Sequence, residues 1–363
     1  MLRCALHDVQ KRLKPLKNLC FCGFLLLLGL LAGSAQAQRR AARPAVADEL
    51  APFTIVALGD MPYTLPADYG RFENLIRGIN AAKPSFSVHV GDIKSGSTLC
   101  NEAIFRKVYD YFQTFAQPLI YTPGDNEWTD CGRLKAGSYD PEERLAAVRK
   151  LFFADHNSFG QSKLPLTSQA LNPAFAAYVE NNRWALHNVA FATVHLVGSN
   201  NNFVPNDAKG QNREFYERMR ANVAWLDEVF AEATAQHRLG VVLFTQADMF
   251  NPAKDAKDAD GFTEILAALQ QHAIAFGRPV LLVNGDSHRL ILDKPFFNPA
   301  FPLRCLQNFT RLQVPGEADV QAVRITITPR DPALFQVQEL LVPENAPLTL
   351  THSENSTTSS QHP

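Results

Sequence analysis

The sequence predicts an α/β protein, a layered α/β/β/α sandwich in one domain. Three observations carry that reading. Short apolar, β-rich runs each end in Gly, Asp or Asn, helical patterns alternate with them, and the C-terminal part holds strand-like runs with no helix between them. The alternation implies βαβ units with buried parallel strands, and the helix-free series adds a second, antiparallel-rich sheet.

FTIVALGD at 53–60 is the first strand, and a helical pattern runs from Tyr69 to Ala82. FSVHVGD at 86–92 leads to a helix from Asn101 to Phe115, and PLIYTPGDN at 118–126 to one from Glu142 to Phe153. RWALHNVAFATVHLVGS at 183–199 reads as two strands around Asn188. A helix from Arg213 to Ala235 precedes GVVLFTQAD at 240–248, and another from Phe262 to Phe276 precedes PVLLVNGD at 279–286. Pro84, Pro118 and Pro279 close the crossings into the next strands, because proline cannot continue a helix. RLILDKP, FTRLQVPG, QAVRITITP and LFQVQELL are the late strands, and no internal repeat is present.

The ends of the chain read differently. Arg3, Lys11, Arg12, Lys14 and Lys17 precede an apolar run from Leu19 to Ala32, and Ala35-Gln36-Ala37 supplies small residues suited to a signal peptidase. The run is shorter than the ~20 apolar residues that span a bilayer. Residues 1–37 therefore read as a cleaved export signal, which places the mature chain in the periplasm or outside the cell with no stable membrane span. Residues 38–51 read as a linker, 52–342 as the folded domain, and 343–363, rich in Ser, Thr, Asn and Pro, as a disordered tail.

Hydrophobic residues make up 46% of the 363 and charged residues 20%, which excludes a wholly disordered or fibrous chain. With 35 Lys and Arg against 36 Asp and Glu, no global charge points to nucleic acid. Cleavage after Ala37 leaves 30 against 35, so the mature chain is mildly acidic. It also leaves three of six cysteines, Cys100, Cys131 and Cys305. An oxidising compartment allows one disulfide among them, and the lack of a Cys-x-x-Cys pair leaves a thiolate zinc site unsupported.

In α/β sheets, ligands sit beyond the carboxyl ends of strands. Here those ends carry Asp60, Asp92, Asp125 and Asp286, each after or beside a Gly that lets the chain turn. One Gly-Asp is an ordinary turn. Four carboxylates brought together repel one another unless they take up protons or a cation neutralises them, and bound metal is the most economical account. His288 in GDSHRL adds an imidazole and Gln246 a neutral oxygen.

In order and spacing these motifs resemble those of the calcineurin-like metallophosphoesterase superfamily, over roughly Phe53 to Leu292. The family pattern is Asp-x-His, Gly-Asp, Gly-Asn-His-Asp/Glu, a lone His and Gly-His-x-His. The resemblance places Asp60 on the first Asp, Asp92 on the metal bridge, Asp125 on the Asn ligand and Asn126 on the substrate-facing His. Gln246 takes the place of the lone His, Asp286 and His288 the places of the last two His, and Pro62 stands where the family has a ligand His.

The resemblance implies a layered sandwich of the metallophosphoesterase type and two divalent ions. One would be held by Asp60, Asp92 and His288, the other by Asp92, Asp125, Gln246 and Asp286. So oxygen-rich a donor set favours Mn²⁺ or Mg²⁺. Such a pair cleaves phosphate mono- or diesters, with Asn126 donating a hydrogen bond to the phosphoryl group. A non-catalytic metal- or phosphate-binding protein is the alternative. Retention of Asp, Asn and Gln at the replaced positions, in place of apolar residues, favours the enzyme.

Lys94 in GDIKSG reads as a phosphate contact or as a solvated loop lysine, and Asn200 in SNNN as a pocket residue or as turn chemistry. Both are candidate substrate-binding residues, with Glu127 and Trp128 beside them. His89, His187 and His195 lie in strand patterns and read as sheet histidines. Cys100 and Cys131 follow Asp92 and Asp125 by eight and six residues. Adjacent parallel strands would bring them within disulfide reach, leaving Cys305 free.

Overall fold

The computed structural model describes residues 50–251 and 261–346. The leader, nearly all of the linker and the tail beyond residue 346 lie outside them. The elements run β1 (Phe53–Leu58), α1 (Ala67–Ala82), β2 (Ser87–His89), α2 (Glu102–Phe112), β3 (Leu119–Tyr121) and α3 (Pro141–Phe152). There follow β4 (Thr167–Ser168), β5 (Asn182–Leu186), β6 (Val189–Thr193), α4 (Arg213–Ala235), β7 (Val241–Phe244), α5 (Thr263–Phe276) and β8 (Val280–Asn284). The chain closes with β9 (Ile291–Asp293), β10 (Phe297–Asn298), β11 (Phe301–Cys305), β12 (Phe309–Gln313), β13 (Ala322–Ile327) and β14 (Phe335–Leu340).

Two sheets hold the core. The first has strand order β14-β13-β1-β2-β3, with β1, β2 and β3 parallel. The second runs β4-β5-β6-β7-β8-β12-β9. Its central strands β6, β7, β8 and β12 are parallel, so it is mixed, not antiparallel-rich as the sequence suggested. The helix-free C-terminal strands divide between the sheets: β12 joins the second beside β8, whereas β13 joins the first antiparallel to β1 and β14 pairs antiparallel to β13. Strand periodicity reports which residues share a face but not which sheet edge a strand will find.

β1 shows how the layers form. Ile55 and Ala57 face the second sheet and pack with Phe191, Val242 and Leu281, while Val56 and Leu58 face outward onto α1 and α2 through Phe72, Ile76 and Phe105. On the far side, Leu243 and Leu282 meet α4 and α5 through Trp225, Val229 and Leu269. The order is helix, sheet, sheet, helix, which is the layered sandwich expected. Each such Val, Leu, Ile or Phe side chain contributes about 1.5–3 kcal/mol when fully buried.

Local chemistry fixes the helix starts. The Asn101 side chain accepts the Ile104 N–H at 3.0 Å, and Asp140 accepts that of Glu143 at 2.8 Å, with Pro141 in the first turn of α3. The first residues assigned to the tail are ordered. Pro343–Asn345 form a 3₁₀ turn in which buried Asn345 donates to the carbonyls of Arg71 and Val320, at 2.8 and 2.9 Å. Satisfying those carbonyls holds the turn against α1.

Candidate metal centre

The parallel strands of both sheets end along one edge of the sandwich, and the loops beyond β1, β2, β3, β7 and β8 carry Asp60, Asp92, Asp125, Gln246 and Asp286. The turns are made unexpectedly. Asp60, Asp92 and Asp286 themselves adopt left-handed backbone, with φ of 55°, 57° and 75°, whereas of their preceding glycines only Gly91 does, at 100°. Asp tolerates this region better than most residues. The strain is held where chemistry is concentrated.

Glu127 ties two of these loops together. Fully buried, it accepts the Ile93 N–H and the Tyr121 hydroxyl on Oε1, at 2.8 and 2.9 Å, and the Gly124 N–H on Oε2 at 3.2 Å. The Cys100–Cys131 disulfide, with Cα atoms 5.7 Å apart, joins the same two loops, and Cys305 is free. Both expectations for the cysteines hold.

Around this frame the carboxylates crowd. Burial pushes Asp92 well above the usual carboxylate range, and Asp125, Glu127 and Asp60 add repulsion. Asp60 rises for the same reason, first through burial and then through Asp286, although the Asp286 N–H donates to its Oδ1 at 3.0 Å. Negative charge here calls for a cation or for protons.

Asp60, Asp92 and His288 each offer one ligand atom, all within 4.8 Å of one another, so they can hold a metal ion. The imidazole is oriented for it. His288 Nδ1 lies 3.1 Å from Glu317 Oε2, while Nε2 lies 3.5 Å from Asp60 Oδ1. With its proton donated from Nδ1 to Glu317, His288 turns the Nε2 lone pair toward a carboxylate, an arrangement that a cation between them relieves.

The remaining predicted residues reach the same edge in other roles. Asn126 donates its side-chain N–H to Asp92 Oδ2 at 2.8 Å and to the Tyr63 hydroxyl at 2.9 Å, and its backbone N–H to Asp92 Oδ1 at 3.1 Å. It therefore holds Asp92 in this arrangement. Gln246 points its amide nitrogen at Asp92 and Asp125 and not its oxygen. Asp125 accepts the Ser199 hydroxyl at 2.7 Å, and Asp286 the Asp248 N–H at 3.0 Å.

Lys94 corrects its reading most. It is neither solvated nor on the cavity wall: its side chain is buried, its Nζ donating to the Ser95 carbonyl at 3.1 Å. Burial lowers its pKa, while Glu127, Asp92, Asp130 and Asp125 oppose that shift. The physical reason is charge compensation beneath an acidic cluster. Asn200 does line the cavity, yet its amide is spent on the loop, donating to Phe203 O and accepting from Gly261 N–H at 3.0 and 2.9 Å.

The cavity above these groups measures about 850 Å³. Arg133, Lys135 and Ser199 on its wall were not foreseen, nor were Tyr63 and Glu317. Arg133 is half exposed and pairs with buried Asp130 at 2.6 Å, so its guanidinium is positioned for an anion in the cavity. Tyr63 donates its hydroxyl to Asp92 Oδ2 at 2.8 Å and packs edge-on against His288. It lies three residues after Asp60 in GDMPY, which was the only signal available.

No protein-family model matches the chain, and no curated protein does. Among solved structures, a dimetal phosphatase from Danio rerio aligns with TM-score 0.47 at 10% identity, over 80% of this chain and 99% of its own. A purple acid phosphatase from yellow lupin (Lupinus luteus) seeds gives 0.45 at 12% identity, over 80% of this chain and 53% of its own. A putative 5'-nucleotidase from Staphylococcus aureus gives 0.43 at 14% identity, over 80% and 53%. The site is defined by its own residues: five strand ends that deliver four carboxylates and an amide to one edge, and an imidazole that completes a ligand set with two of the carboxylates.

Proposed function

We propose that the chain is an exported, metal-dependent phosphoesterase, a divergent member of the metallophosphoesterase superfamily acting on phosphate mono- or diesters. The observation that carries this reading is the Asp60, Asp92 and His288 set, with its ligand atoms within 4.8 Å, at the edge of a cavity that also presents Arg133. A divalent ion there supplies a Lewis acid for a phosphoryl oxygen, and the oxygen-rich donors suit Mn²⁺ or Mg²⁺. Asp60, Asp92 and His288 would hold it, Glu317 would orient His288, and Tyr63 and Asn126 would fix Asp92. Arg133, and not the buried Lys94, would make the anion contact. The disulfide supports export, and no helix among the described residues is long and apolar enough to cross a membrane.

The test is metal analysis of the mature protein together with hydrolysis of p-nitrophenyl phosphate and bis-p-nitrophenyl phosphate under added Mn²⁺ or Mg²⁺. Bound metal with no hydrolysis of either ester would instead establish the binding-protein reading. One observation favours that second reading: the Asn126 amide, in the family's substrate-facing position, is turned onto Asp92.

A further inference from the structure

The first metal position fits its ion, but the second does not. Of the residues that the family resemblance assigns to it, Asp92 and Gln246 are turned to other partners. Asp92 Oδ2 accepts the Tyr63 hydroxyl at 2.8 Å, the Asn126 side-chain N–H at 2.8 Å and the Gln246 side-chain N–H at 3.2 Å. A carboxylate oxygen has two lone pairs, so three donors leave it no capacity to bridge outward. Asp92 Oδ1 accepts one bond, from the Asn126 backbone, and keeps a lone pair for a single ion.

The orientation of Gln246 is fixed by its surroundings. Its Oε1 accepts the Gly198 N–H at 2.6 Å, while its Nε2 faces Asp92 Oδ2 and Asp125 Oδ1 at 3.2 and 3.3 Å. Reversing the amide would set an NH₂ against the Gly198 N–H and an oxygen against two carboxylates. The network therefore assigns the nitrogen to the acidic side, and an amide nitrogen has no lone pair for a metal.

We infer that the site holds a single divalent cation, at Asp60, Asp92 and His288, and that hydrogen bonds from Tyr63, Asn126 and Gln246 onto Asp92 replace a second. This inference rests on the metal-dependent reading above and sets its stoichiometry. Chemically, one ion and a set of fixed donors would share the charge that a dinuclear site places on two ions.

The experiment is titration of the chelator-stripped mature protein with Mn²⁺, followed by elemental analysis and electron paramagnetic resonance. One ion per chain, with the hyperfine pattern of an isolated Mn²⁺, is the expected result. Gln246→His, which puts a ring-nitrogen lone pair in place of the amide, should raise the stoichiometry toward two and produce an exchange-coupled signal. Two coupled ions in the wild type would overturn the inference and leave the phosphoesterase reading standing. Absence of any bound ion would overturn the metal-dependent reading itself. Gln246→His that folds and stays at one ion would overturn the role given to Gln246, and the wild-type count decides the stoichiometry even if that variant does not fold.

Discussion

The carboxylate of Asp92 occupies the space that a side chain on Gly124 would need: a Cβ there would lie 2.0 Å from Asp92 Oδ1 and 2.6 Å from Asp92 N. A parallel relation joins Asp60 and Gly285, where a Cβ would meet Asp60 Oδ2 at 2.2 Å. At these two Gly-Asp pairs the glycine admits an aspartate from another strand end, from the adjacent β2 at Gly124 and from β1 of the other sheet at Gly285. Gly124→Ala should therefore displace Asp92 at its backbone, costing about 1–3 kcal/mol as overpacking does. Urea unfolding would give the stability loss and calorimetric Mn²⁺ titration a weakened affinity. Unchanged affinity would show that Asp92 does not need that approach.

Asp92→Asn should abolish metal-dependent hydrolysis while the protein stays folded. The change removes the charge from a candidate ligand and sets an NH₂ either against the three donors now converging on Oδ2 or against the Asn126 backbone N–H. Metal affinity should fall by more than about 10²-fold, beyond the range seen on losing a group that only supports a ligand. Circular dichroism beside metal titration checks it, and wild-type affinity in the variant would exclude Asp92 as a ligand.

Lys94→Met tests the buried countercharge. Removing one partner from a buried ionic cluster costs about 3–5 kcal/mol, because the opposite charges are left uncompensated. The variant should unfold at clearly lower denaturant than wild type, with the difference narrowing when saturating Mn²⁺ supplies positive charge. A loss below about 1 kcal/mol would place the lysine outside the electrostatic balance of the site.

The disulfide closes a loop of 31 residues in sequence, which the chain-entropy model values at about 3 to 4 kcal/mol. Cys100→Ala with Cys131→Ala should lower stability on that scale. It should also loosen the loop that carries Asp130 and Arg133. A rise in KM for phosphate esters larger than the fall in kcat is the expected kinetic signature.

Buried His89 supplies a pH dependence of known sign. Its Nδ1 accepts the Gly91 N–H at 3.3 Å and its Nε2 faces the Met61 carbonyl at 3.1 Å, so the neutral ring is satisfied on both sides. Desolvation lowers its pKa to about 3 from the ordinary 6.5, against a smaller opposing contribution from Met61. The unfolded chain thus binds a proton that the folded one refuses. Its contribution is full above pH 6.5 and is lost as pH falls toward 3, with a slope of at most about 1.4 kcal/mol per pH unit. Urea midpoints across that range should lose this slope in His89→Gln, whose amide can still serve both partners. An unchanged slope would mean that His89 is already charged in the folded protein.

Strand-forming runs, the turns at their acidic ends and the α4 helix were legible in the sequence because each rests on local chemistry: apolar periodicity, glycine and aspartate in turns, proline at crossings. The same local order made Asp60, Asp92, Asp125, Gln246, Asp286 and His288 recognisable as one motif series. Tertiary structure alone decided what those residues face. Tyr63 reaches Asp92 across 29 residues of sequence and Gln246 across 154, and no periodicity records a hydrogen bond of that span. Lys94 reads as a phosphate contact or a solvated loop lysine because it lies just past a strand end and lysine is mostly exposed. Only the convergence of Glu127, Asp92, Asp130 and Asp125 around it makes burial of its charge affordable. The division of the last strands between two sheets was likewise settled by free sheet edges, which exist only once the rest of the chain has folded.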